Sequence, residues 1–101
     1  MLTDEMRDEL EEYAKIAAGD PLTASLYESA VRYAQSYTGK KFAVTDDGKK
    51  DPLYWLAIKQ LFVHWYDNRG VAADKAQSEV PISARELLNH IALSSDFEVI
   101  S

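Results

Sequence analysis

The chain has 101 residues, 47% of them hydrophobic and 28% charged, with no cysteine and a formal net charge of −6. That length suits one compact domain and is short for two, and without cysteine there can be no disulfide framework and no thiolate metal site. The acidic balance argues against tight binding of nucleic-acid phosphates, and no apolar run approaches the roughly eighteen residues of a membrane span. The N-terminus, MLTDEMRDELEEY, is acidic where a secretory signal would be basic and then apolar, so a soluble protein made and kept in a cytoplasm is expected.

The first predicted helix covers about residues 3–18. Thr3 or Asp4 can cap it, and acids crowd the opening turn, where the helix dipole favours them. Met6, Leu10, Tyr13 and Ala17 recur at spacings of four, three and four, which makes one apolar stripe. Residues 1–20 hold seven acids against two bases, and these acids are expected to form a solvated outer face. Such a face also repels a polyanion. Gly19 ends the helix.

Asp20-Pro21 is an N-cap followed by a proline at the first helical position, which opens a second helix over about 21–38. Its predicted stripe is Leu22, Leu26, Ala30, Ala34 and Tyr37, widened by Tyr27, Val31 and Tyr33. Gly39 closes it as a left-handed cap, with Lys40 and Lys41 beside the negative helix end. The segment KKFAVTDDGKKD cannot be helical throughout. Phe42–Thr45 is β-prone and Asp47-Gly48 is a tight-turn signal, so an extended arm or short hairpin is expected. Lys40, Lys41, Lys49 and Lys50 stand at its feet; with Phe42 they form a candidate partner-contact arm, the plainer reading being a solvated loop.

Asp51-Pro52 repeats the cap-plus-proline opening and begins a third helix over about 52–69. Its apolar residues leave almost no polar face, which places it inside a bundle or an interface. Residues 71–80 form a polar, small-residue connector, and Pro81 opens a fourth helix over about 81–92 with Ile82, Leu87, Leu88 and Ile91 on its buried stripe. The tail, 94–101, is too short to fold alone and reads as flexible and free to dock. The fold class expected is therefore all-α, a small four-helix domain with an arm between its second and third helices.

The most chemically loaded stretch is HWYDNRG, residues 64–70. His64 and Asp67 can share a helix face, an arrangement that could orient an imidazole or supply part of a metal site. No HExxH, no matched second pair and no nucleophile–base pair accompanies them, so no catalytic, metal-ligating or cofactor-binding residue is assigned. Trp55, Trp65 and Tyr66 could stack on bases, but that mode needs a basic groove, and this helix offers only Lys59 and Arg69. They read instead as core or interface anchors, and Arg69 complements the helix C-terminus.

Taken together, these motifs resemble the head–tail connector (adaptor) family of long-tailed bacteriophages. His64, Trp65, Tyr66, Asn68 and Arg69 match the His-Trp-Tyr-x-Asn-Arg run that ends the family's third helix. Tyr37, Thr38, Gly39 and Lys40 match the Tyr-Thr-Gly-basic run that ends its second. The resemblance extends over about residues 3–91; Gly70 stands where the family often has an acid, and the tail lacks a clear counterpart. It implies a structural virion protein at the head–tail junction, a homo-oligomeric ring under the portal protein that extends the DNA channel. The ring would dock the next head-completion or tail protein and match the portal's symmetry with about twelve subunits. DNA would pass without sequence-specific binding, and no membrane or cofactor is implied. Trp55, Phe97, Val99 and Ile100 are the candidate contacts to a neighbouring subunit or the portal. The rival reading is a small acidic helical regulator or antitoxin-like adaptor that binds a protein partner as a dimer. A DNA-binding helical domain would need several bases on one helix face, and an enzyme would need groups placed for proton transfer or attack.

Overall fold

The apolar segment after Asp51 becomes the centre of the molecule. The computed structural model describes residues 2–67 and 80–100. Among these residues lie four helices, α1 (Asp4–Ala14), α2 (Leu22–Thr38), α3 (Pro52–Asp67) and α4 (Ile82–Leu93), and no strand beyond a single bridge. The domain is all-α. Helix α3 packs against each of the other three, whereas α1 reaches only α2 and α3. Tyr54, Trp55, Ala57, Ile58, Leu61, Phe62 and Trp65 are buried along it. Each large apolar side chain buried there is worth roughly 1.5–3 kcal/mol. Among the described residues no helix is long and apolar enough to cross a membrane.

Helix starts follow the expected chemistry. Thr3 Oγ1 accepts the Met6 amide at 3.2 Å. Asp51 Oδ1 accepts the Leu53 and Tyr54 amides at 2.9 and 3.0 Å, so Pro52 sits where its missing N–H costs nothing. Asp20 Oδ1 accepts the Leu22 amide at 2.9 Å in the same way, and α2 is wound from Leu22, one residue later than expected.

Three expectations about α1 and α2 need correction. Helix α1 stops at Ala14 rather than near residue 18, because Lys15 turns left-handed (φ 58°). The Ile16 amide then bonds Glu11 O at 2.9 Å and the Lys15 amide bonds Glu12 O at 3.2 Å, a Schellman ending built without glycine. The reason is Glu11, which is not on the solvated acidic face: it is 4% exposed, and its Oε2 accepts the Gly19 amide at 3.0 Å and the Thr23 hydroxyl at 2.9 Å. Winding the chain back over Glu11 consumes the residues that would have prolonged the helix, and Ala17 and Tyr13 are left exposed.

The buried stripe of α2 keeps Tyr27, Ala30 and Ala34 from the predicted set but differs at both ends. It runs Thr23, Tyr27, Ala30, Ala34 and Thr38, with Leu22 and Tyr37 exposed. A threonine at each end is buried because each hydroxyl has a partner: Thr23 donates to Glu11, and Thr38 donates to Ala34 O at 2.8 Å. On α4 the buried residues are Ala84, Leu88 and Ile91, while Ile82, predicted buried, is largely exposed.

Candidate functional site

Gly39 gathers the features that matter at one end of the bundle. It ends α2 with φ 70°, a left-handed conformation that any side chain would strain, and its amide bonds Gln35 O at 2.8 Å. This turn aims the chain across the start of α3. The Lys40 amide bonds Thr38 Oγ1 at 3.1 Å, and the Tyr54 hydroxyl donates to Lys40 O at 2.7 Å while lying 3.2 Å from Thr38 Oγ1. Two buried hydroxyls therefore hold the polar main chain where the arm leaves the helix. Burial pushes the Tyr54 phenol above its ordinary value of 10, against the opposing hydrogen bond from Thr38.

The arm is extended, with a tight turn at its tip closed by Thr45 N to Lys49 O at 3.0 Å and Gly48 N to Thr45 O at 2.9 Å. Phe42, expected among the partner contacts, is buried: its ring packs 5.1 Å from Tyr54 and stacks 6.2 Å from Trp55, and its amide bonds Gln35 Oε1 at 2.9 Å. Lys40 and Lys50 are half-buried, and Lys50 Nζ lies 5.1 Å over the Trp55 ring. Only Lys41 and Lys49 are exposed among the five arm residues.

The tail does not hang free. Lys40 and Val99 face each other as an antiparallel bridge, flanked by Lys41 N to Glu98 O at 2.7 Å and Ile100 N to Gly39 O at 2.9 Å. Phe97 packs edge-on to Tyr54 at 5.6 Å. The side chains beyond it leave apolar surface in solvent, Val99 being 64% and Ile100 45% exposed. Leu93, at the end of α4, is 89% exposed. Tyr37 joins them from α2, exposed and donating to Asn89 Oδ1 on α4 at 2.7 Å. This end thus presents exposed Tyr37, Leu93, Val99 and Ile100 around the two bridged segments, a candidate interaction surface.

Trp55 takes a different place from the one expected of a subunit or portal contact. It is 4% exposed, edge-on to Tyr27 at 6.3 Å, with its indole N–H donating to Glu9. Glu9 also holds Lys59 at 2.9 Å. Partial burial opposes ionisation of Glu9, but the Lys59 and Trp55 hydrogen bonds outweigh it and lower its pKa from 4.5. Trp55 is a core residue roofed by charges.

At the other end of α3, the aromatic residues of the HWY run pack into the fold. Trp65 is buried edge-on to Tyr33 at 5.5 Å, and the Tyr66 hydroxyl donates to Asp20 Oδ2 at 2.9 Å, which ties α3 to the start of α2. His64 is half-buried and Asp67 exposed. Asn68 and Arg69 lie outside the described residues. Among the described residues no three His, Asp or Glu side chains gather as metal ligands.

The residues that sequence reasoning missed are Tyr54, Asn89 and Leu93. Tyr54 read as one apolar residue among many, and only its hydroxyl marks it. Leu93 lies one residue beyond the predicted end of its helix.

Comparison with curated proteins and with solved structures yields no match. The Phage gp6-like head-tail connector protein family matches residues 7–93, nearly the whole helical domain and both the YTGK and HWY runs. The chain therefore belongs to that family of structural proteins, which join head to tail in bacteriophages.

Proposed function

We propose that this subunit assembles into a ring between the portal and the next head-completion or tail protein, extending the channel through which DNA passes. The observation that carries the reading is the exposed apolar end formed by Tyr37, Leu93, Val99 and Ile100, on a chain of this family. A ring needs a heterologous contact, one surface meeting a different one on the next copy, and an uncovered apolar end supplies one half. The net charge of −6 suits a channel that DNA must traverse without sticking. Symmetry with the portal would set about twelve subunits. Synthesis would take place in the host cytoplasm, followed by addition to the filled head.

Native mass spectrometry over a concentration series, from low micromolar to about millimolar, tests assembly. A ladder of species or a closed ring is expected. A saturating dimer would instead favour the regulator reading, because a closed twofold interface uses up the surface a ring needs. Deletion of residues 94–101 should leave a helical, folded subunit by circular dichroism that no longer joins heads to tails. Normal joining by that truncation would sink the role given to the tail.

A further inference from the structure

We infer that residues 97–100 are an exchangeable strand: in the ring, the tail of one copy pairs with the Gly39–Lys41 foot of its neighbour. The inference rests on the ring reading and deepens it. Three observations support it. First, the foot of the arm is a built receptor for an extended segment. Thr38 and Tyr54 fix the main chain at Lys40, leaving the Gly39 carbonyl and the Lys41 amide aimed outward, where the tail takes both. Strand addition to such an edge draws its affinity from main-chain hydrogen bonds.

Second, the tail is attached lightly. Its one anchor in the core is Phe97, half-buried edge-on to Tyr54; beyond that it is held by those two main-chain bonds and an exposed Lys41–Glu98 pair at 4.0 Å, a pair of a kind worth little in water. It also follows α4 through bends at 95–97, and it lies beyond the family-matched residues 7–93. Exchange remakes the same contacts between copies, so it costs little beyond association itself. Third, the surface around the tail is the apolar one. Residues 94–96 span at most about 10 Å when extended, so a neighbour that receives the tail must lie against Leu93, Val99 and Ile100 and cover them. The occupant is a second copy because the receptor is already fitted to this chain's own sequence at 97–100, which every copy carries.

The chain has no cysteine, which makes the test direct. Lys40 and Val99 form the non-hydrogen-bonded kind of antiparallel pair, with side chains close enough for a disulfide. Full-length Lys40→Cys and Val99→Cys variants are mixed, assembled as in the mass-spectrometry series, oxidised and resolved on a non-reducing gel. Exchange predicts that the disulfide joining one variant to the other exceeds the disulfide joining two copies of either variant by about tenfold, because pairing within a ring is effectively intramolecular. A chain carrying both substitutions should give covalent ladders in assembled samples and an internal disulfide when dilute. Rings in which the mixed link is no commoner than random pairing, and in which the double variant closes only on itself, overturn the exchange and leave the ring standing. A saturating dimer in which two copies of the Val99→Cys variant are joined to each other overturns both.

Discussion

The α1–α2 turn and the arm-and-tail end solve the same problem, an irregular chain that must leave a helix, in opposite ways. At the turn, one buried carboxylate, Glu11, satisfies a backbone amide and a hydroxyl and is itself almost wholly covered. At the arm, hydroxyls fix the main chain, but the segment that completes the site is an exposed tail with apolar side chains in solvent. The first arrangement uses every group it has within the subunit. The second leaves surface to offer. The difference separates the part of the molecule that holds the fold from the part that can meet a partner.

Substitutions should divide along this line. Glu11→Ala strands the Thr23 hydroxyl and the Gly19 amide and should cost about 2–3 kcal/mol, read as a lower urea midpoint with an unchanged m value. Assembly of the fraction that remains folded should be normal. A loss below about half a kilocalorie would mean that the turn is not sealed as described. Tyr54→Phe should cost less, about 1–2 kcal/mol. Its signature should be local: amide exchange at Lys41 and Ile100 should accelerate more than at the centre of α3. Protection at Lys41 and Ile100 unchanged from that of the unsubstituted chain would show that the hydroxyl does not hold the foot of the arm. The smallest effect runs the other way. Lys15→Gly relieves the left-handed strain at the end of α1 and should gain about 0.5–1 kcal/mol by thermal melting. Any destabilisation there would mean that the strain is offset by contacts of the lysine stem.

Helix starts were legible because capping is local. Thr3, Asp51 and the Asp20-Pro21 pair announce themselves within four residues, and the structure moves only the last, by one position. The two threonines of the α2 stripe were not legible. Periodicity counts apolar residues, whereas the Thr23 hydroxyl is met by the distant Glu11 and the Thr38 hydroxyl by Ala34 O and the distant Tyr54. The same blindness hid Glu11 itself, one acid among seven in the first twenty residues. The family runs were readable as patterns, and their work was not. Tyr66 reaches Asp20 and Thr38 reaches Tyr54 across 46 and 16 positions.

By itself the sequence determined the helical class, the central place of the helix after Asp51, the left-handed stop at Gly39 and the family to which the chain belongs. Each of these depends on near neighbours or on a linear pattern. Only the tertiary structure decided that Trp55 and Phe42 belong to the core and that the tail returns to Lys40. It also decided that Tyr37, Leu93, Val99 and Ile100 share one exposed end. Burial and strand pairing are properties of what arrives from elsewhere in the chain, and no local pattern specifies which side chains the closing fold will cover.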